Sequence, residues 1–353
     1  MRRWLTALSV VLACCCSGAP GRAETVLMVG WCAGAITSAA APLAVAQKMG
    51  WFAAAGFRLE LYPLGGSAAC AQAVASGSIS YALASIEPLV AMGPRQGGPR
   101  TFYTAYQGNI YGLAVPDDSP IRALPDLRGK RVGVTSMSSG GVTVARALAG
   151  SAGLDPQHDI TLVEVGEGAH AAAMLAQEQV DALSLYDVQY AMVEAAGVKL
   201  RMMDNSAIAR FPSNGFIAMD YTLAARYDEA VELARGYAMG TVFTIANPEA
   251  AVRILHEIWP QTVPHGMDEA IAVRQDLATL DARIPNWKLE AGGVSHWGES
   301  SLANYDAYVA FLVKNGAAEQ SVPAETLVSN ALIPAVNAFD ATRVAKLAAE
   351  YRP

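Results

Sequence analysis

From Thr25 to about Phe216 the chain alternates short apolar runs with stretches whose apolar residues recur every three to four positions. "TVLMVG" (Thr25–Gly30) is a strand-length run, followed by the small-residue loop "WCAGAITSAA" and then by "PLAVAQKMGWFAAAG" (Pro42–Gly56). The last of these predicts a helix opened by Pro42, whose missing N–H would have no intrahelical partner in the first turn anyway. "FRLELYPL" (Phe57–Leu64) alternates with period two and predicts a strand; Gly65–Ser67 then opens a helix that runs through Ala75. "SISYALAS" (Ser78–Ser85) predicts a further strand, and "EPLVAM" (Glu87–Met92) a helix with Pro88 in its first turn. "KRVGV" (Lys130–Val134) repeats the device, running into a Ser/Thr/Gly loop that opens another helix. This alternation predicts an α/β protein with mostly parallel sheets covered by helices.

The pattern also echoes itself. "AQAVASGSISYALASIEPLVAM" (Ala71–Met92) and "AAMLAQEQVDALSLYDVQYAMV" (Ala172–Val193) share an order of parts: helix, polar turn, strand, acidic residue, helix. Two βα lobes of one design explain the echo. "YGLAVPDDS" (Tyr111–Ser119) and "SNGFIAMDY" (Ser213–Tyr221) are apolar runs edged by Gly or Asn and suit strands that cross between lobes. From Thr222 onward only helical periodicity remains, and these helices are expected to pack on lobe one. Lobe one is therefore expected to be discontinuous, 24–114 plus 217–353, with lobe two at 115–216.

Composition narrows the class. Apolar residues make up 53% of the 353 and charged residues 16%, which points to a well-packed globular chain. The net charge of −7 and the lack of a long basic run argue against nucleic acid as a partner. At the start, Arg2 and Arg3 precede an apolar stretch, Trp4–Cys16, too short to span a bilayer, and Gly21–Ala23 supplies small residues at a cleavage position. Residues 1–23 are thus expected to be a signal peptide and the protein to be periplasmic. "VLAC" (Val11–Cys14) offers a rival cleavage that would leave a lipid on Cys14. Cleavage after Ala23 leaves two cysteines, Cys32 and Cys70, which either form one disulfide in an oxidising compartment or stay as two buried thiols.

Ligands of open α/β sheets sit beyond the C-terminal ends of the strands. Here those ends hold Trp31, Gly34, Thr37 and Ser38; Gly65, Gly66 and Ser67; Ser85 and Glu87; Ser136, Ser138, Ser139, Gly140 and Gly141; and Tyr186 with Asp187. Free N–H groups and hydroxyls ahead of a helix hold an anionic or strongly polar group without any lysine. The same serines also serve as plain helix caps. Glu87 and Asp187 occupy matching places in the two lobes, either as first-turn carboxylates or as a grip on an amine or ring N–H. Trp31 and Tyr186 fall in the loops themselves, whereas Tyr106 and Phe211 are expected in the core. The five histidines lack metal-ligand spacing, and no G-x-S-x-G or G-x-x-x-x-G-K-[ST] motif occurs. No catalytic residue, metal or cofactor is expected.

"PLAVAQKMGWFAAAGFRLELYPLGGSAACAQAVASGSISYALAS" together with "DSPIRALPDLRGKRVGVTSMSSGG" resembles the NMT1/THI5-like and alkanesulfonate-binding family, extracytoplasmic solute-binding components of ABC importers. The likeness continues through "VDALSLYDVQYAMV", "NGFIAMDYTLA" and "NPEAAVRILHE" towards the C-terminus. It implies a type II periplasmic-binding-protein fold, two lobes joined by a hinge and closing on one small solute, with an ABC permease as membrane partner and a monomeric chain. It also implies ligand contacts from Gly34–Ser38, Gly65–Ser67 and Ser136–Gly141. The chain departs from a simple oxyanion binder by placing Trp31, Cys32, Glu87 and Asp187 near one mouth, which suits an aromatic, heterocyclic, sulfonate or zwitterionic solute. Two other readings attach to the resemblance: a THI5-type enzyme making a thiamine pyrimidine, and a ligand-sensing partner of a membrane receptor.

Overall fold

The computed structural model describes residues 25–93 and 97–352; the expected signal peptide and Cys14 lie outside the described residues. Among the described residues, ten strands form two five-stranded sheets. The first contains β1 (Thr25–Trp31), β2 (Phe57–Pro63), β3 (Tyr81–Ala84), β4 (Pro99–Thr104) and β10 (Gly215–Met219) in the order β2-β1-β3-β10-β4. The second contains β5 (Ala114–Pro116), β6 (Lys130–Val134), β7 (Ile160–Glu164), β8 (Ala182–Leu183) and β9 (Leu200–Met202) in the order β7-β6-β8-β5-β9.

The two sheets follow one plan. In the first, β1 pairs in parallel with β2 and β3; in the second, β6 pairs in parallel with β7 and β8. The strand arriving from the other sheet then inserts antiparallel, β10 between β3 and β4 and β5 between β8 and β9. The sheets are therefore mixed where the alternation predicted mostly parallel ones, because a strand that crosses over enters from the opposite end. The two crossings run side by side: Ala105 N and Tyr106 N both donate to Asn214 O (3.0 Å each), and Met203 N donates to Leu113 O (2.9 Å).

Helices α1 (Ala41–Lys48), α2 (Trp51–Ala54), α3 (Ser67–Ala75) and α4 (Glu87–Met92) belong to the first sheet's connections, and α5 (Gly140–Ser151), α6 (Ala169–Ala176) and α7 (Asp187–Ala195) to the second's. The single helix expected over 42–56 is broken at Gly50, whose φ of 73° ends α1 in the left-handed region that glycine adopts most easily. After β10 the chain is helical: α8 (Asp220–Ala225), α9 (Tyr227–Ala246), α10 (Pro248–Ile258), α11 (Glu269–Trp287), α12 (Leu289–Gly292), α13 (Leu302–Lys314), α14 (Ala324–Leu327), α15 (Ile333–Val336) and α16 (Ala341–Glu350). Helices α9 and α10 pack on α1, and α16 packs on α9, so these helices cover lobe one as expected. Two of them also reach lobe two: α11 packs on α7, and α13 touches α5. The core beneath the first sheet is aromatic, with Phe216 between the rings of Phe102, Tyr103 and Tyr237. Phe211, expected in the core, stacks on Tyr308 with ring centroids 4.9 Å apart. Among the described residues no helix is long and apolar enough to cross a membrane.

Candidate functional site

The C-terminal ends of β1 and β3 and the two crossings frame a hollow with about 360 Å³ of empty space, counted to its open mouth. Its walls are Trp31, Tyr106, Tyr111 and Tyr186, with Leu83 and Ile110 beneath them and Thr37, Asn214 and Arg283 as polar members. Trp31 ends β1, and its indole N–H donates to Ala35 O (2.8 Å), folding the first βα loop back over the ring. Tyr111 and Tyr186 face each other across a backbone bridge with their rings edge to face. Tyr106 is buried in the core as expected and also forms a wall of the hollow. Cys32 also lines the hollow and is bonded to Cys70 on α3, so the pair is a disulfide and ties the first loop to the next helix.

The predicted glycine and serine turns gather at one seam between the lobes. Ser136 Oγ donates to Gly65 O, and Ala68 N donates to Ser138 O (3.0 Å). Gly66 has φ 152°, and a Cβ built on it would stand 2.6 Å from the Ser138 carbonyl, so only glycine lets the lobes approach this closely. At the mouth, Gly34 N donates to Glu167 Oε1 (2.9 Å) across the gap. Burial pushes the Glu167 carboxyl above the usual carboxylate range, partly opposed by the Gly34 and Ala35 N–H groups and by the Tyr186 hydroxyl.

Several candidates spend their polar atoms inside the protein. Ser38 Oγ is hydrogen-bonded to Thr279 Oγ1 on α11 (2.7 Å), and Ser67 Oγ accepts from Ser85 N (3.0 Å). Ser139 is the N-cap of α5, accepting from Gly141 N (3.1 Å). Gly140 faces Ser85 Oγ and Tyr111, and a Cβ on Gly141 would lie 2.4 Å from Ser184 O, so both glycines allow close packing at these positions.

Glu87 is buried; its Oε1 accepts from the Tyr308 hydroxyl (2.5 Å), and Oε2 has no partner among the described residues. Burial raises its pKa, with Ser85 and Tyr308 beside it countering in part. Asp187 is the first-turn carboxylate of α7, one of the two uses expected for it. Its carboxylate receives Arg283 Nε (2.8 Å), Arg283 Nη2 (2.6 Å) and Asn286 Nδ2 (2.9 Å), all from α11. Burial disfavours the Arg283 cation, but Asp187 outweighs it and holds the guanidinium charged above its ordinary range. Arg283 and Asn286 lie three residues apart and so share one helix face. Next to them, Gln107 N and Gly108 N donate to Asn286 O (2.7 and 3.2 Å), tying this helix end to the first crossing.

Arg283 and Glu167 escaped the sequence reading. One signal for Arg283 existed: it occupies the buried stripe Leu280, Arg283, Trp287 of α11, where helical periodicity calls for an apolar residue. No group of three or more potential metal ligands lies together among the described residues.

Two mixed sheets of one plan, paired crossings and a shared hollow define the type II periplasmic-binding-protein fold. The chain belongs to the NMT1/THI5-like family, whose pattern matches residues 37–251. No curated protein sequence matches it. Among solved structures it is similar to the alkanesulfonate-binding protein SsuA from Xanthomonas axonopodis pv. citri bound to MOPS (TM-score 0.63, 16% identity, 87% of this chain and 98% of that one). It is also similar to the periplasmic aliphatic sulphonate binding protein SsuA from Escherichia coli (TM-score 0.62, 15% identity, 86% and 96%). A third likeness is to the periplasmic nitrate-binding protein NrtA from Synechocystis PCC 6803 (TM-score 0.61, 16% identity, 93% and 89%).

Proposed function

We propose that the chain is an extracytoplasmic solute-binding protein that delivers a small organic solute to an ABC importer by closing its two lobes. The observation that carries this reading is the meeting of strand-end loops from both sheets around one aromatic-walled hollow. Lobe one is 24–114 plus 217–353, lobe two is 115–216, and the paired crossings are the hinge. Trp31, Gly34, Thr37 and Tyr186 contact the solute, while the Gly65–Ser67 and Ser136–Gly141 turns form the seam that closes over it. Hinge closure needs a ligand that prefers the closed state, and a membrane partner then recognises the closed shape. The membership in the NMT1/THI5-like family and the fold shared with binding proteins for sulfonates and nitrate support this reading.

The protein acts in the periplasm as a monomer, binds no nucleic acid and turns over no substrate. Native mass spectrometry of the exported protein, purified from its own host without refolding, tests the proposal. One retained small molecule of unchanged mass, whose removal expands the molecule in small-angle scattering, is the expected result. Conversion of that molecule into a product of different mass sinks the proposal.

A further inference from the structure

Arg283 is 1% exposed, yet it borders the hollow, and among the described residues it is the only charged side chain in the lining. Its Nε and Nη2 edge is taken up by Asp187, and its Cζ lies 4.1 Å above the centre of the Tyr106 ring. Aspartate on one edge and the ring face below fix the guanidinium plane. Nη1 lies outside the bonds to Asp187, with the Tyr106 hydroxyl as its neighbour among the described residues. No Arg283 nitrogen is among the fully buried polar atoms that lack a partner, so the Nη1 edge, which cannot shed its proton, is open to an acceptor supplied by a guest in the hollow. Thr37 lines the same hollow, and its side chain makes no capping hydrogen bond to the short helical turn that follows it. The remaining walls are mostly aromatic and aliphatic.

We propose that Arg283 is the anchor for the solute's carboxylate and that the solute is a monocyclic aromatic carboxylate, its ring against the aromatic walls. This rests on the solute-binding reading above and deepens it. A planar carboxylate has two oxygens for two donors, Nη1 and the Thr37 hydroxyl. A guanidinium can serve two carboxylates, one on each edge, and its flat fork favours a flat acceptor. The Asp187–Arg283 pair is neutral by itself, so Asp187 acts as a positioning residue that aims the free edge, and the incoming carboxylate shares the guanidinium charge. A tetrahedral sulfonate would bring a third oxygen, and the Asn214 amide of the lining is already turned to Leu83 O.

The test is calorimetry on the full mature chain with benzoate, benzamide, benzenesulfonate and benzylamine. The variants are Arg283→Lys and the double variant Asp187→Asn/Arg283→Gln, which removes both charges together and leaves no lone buried ion. Benzoate is expected to bind about 30-fold more tightly than benzamide, the range for a hydrogen bond to a charged group. The double variant should bring the two to near-equal affinity by lowering that for benzoate far more than that for benzamide, and Arg283→Lys should keep only part of the preference. A purely structural arginine would weaken both probes alike. The proposal is overturned by that result, by an unchanged preference in the double variant, by absence of benzoate binding, or by tighter binding of benzenesulfonate or benzylamine. Binding of benzamide or benzylamine with lobe closure would leave the solute-binding reading standing while removing the carboxylate assignment.

Discussion

Glu87 sits where burial, rather than an opposite charge, sets its behaviour. A carboxyl whose pKa is raised in the folded state binds more protons folded than unfolded, so stability falls as pH rises from the ordinary glutamate value of 4.5 through the raised one. Glu87→Gln removes that loss and keeps a polar partner for the Tyr308 hydroxyl. Its melting temperature should exceed the parent's at pH 7, with the gain shrinking as the pH falls through the raised pKa and gone below about 4.5; a gain independent of pH would exclude this cause. Gly141 makes a second prediction at the same scale. A β-branched side chain there meets Ser184 O inside lobe two, so Gly141→Val should cost about 1–3 kcal/mol in urea unfolding. The loss should appear with or without solute, because the contact is packing and not a ligand subsite.

Among the elements, those with a clean period could be read from the chain and the others could not. β1, β2 and β6 stand in the structure much as their apolar runs predicted. β4 escaped because it starts at Pro99 and is buried on both faces from Thr101 to Thr104, which erases alternation, and β9 is only three residues long. The position of the candidate loops followed from βα order alone. Their hydrogen bonds did not, since Ser38, Ser67 and Asp187 find partners in segments far away in sequence, two of them on α11. The disulfide is the element-scale staple: it joins the loop after β1 to α3 and closes 38 residues. The chain-entropy estimate for such a loop is about 4 kcal/mol. The double variant Cys32→Ser/Cys70→Ser should therefore melt well below the parent, and because Cys32 lines the hollow it should also bind solute more weakly. Equal melting temperatures would show that packing alone holds the loop.

At the mouth, Gly34 N to Glu167 is a direct link between the lobes. Glu167→Ala leaves the two sheets intact and removes this strap, so the population should move towards the open form. Small-angle scattering should then record a larger radius of gyration without solute, and affinity should drop because closure must be driven by the guest alone. An unchanged radius together with unchanged affinity would mean that the seam of glycine and serine turns suffices to hold the lobes shut.

The interleaved strand order has a bearing on biogenesis. All five strands of the second sheet lie within residues 114–202, whereas the first sheet stays incomplete until β10 ends at Met219. A chain emerging N-terminus first thus finishes its inner half before its outer half, which must hold β1 to β4 unsealed in the meantime. The gap left for β10 exposes the edges of β3 and β4 during that interval, making the nascent N-terminal third the stretch most in need of a chaperone.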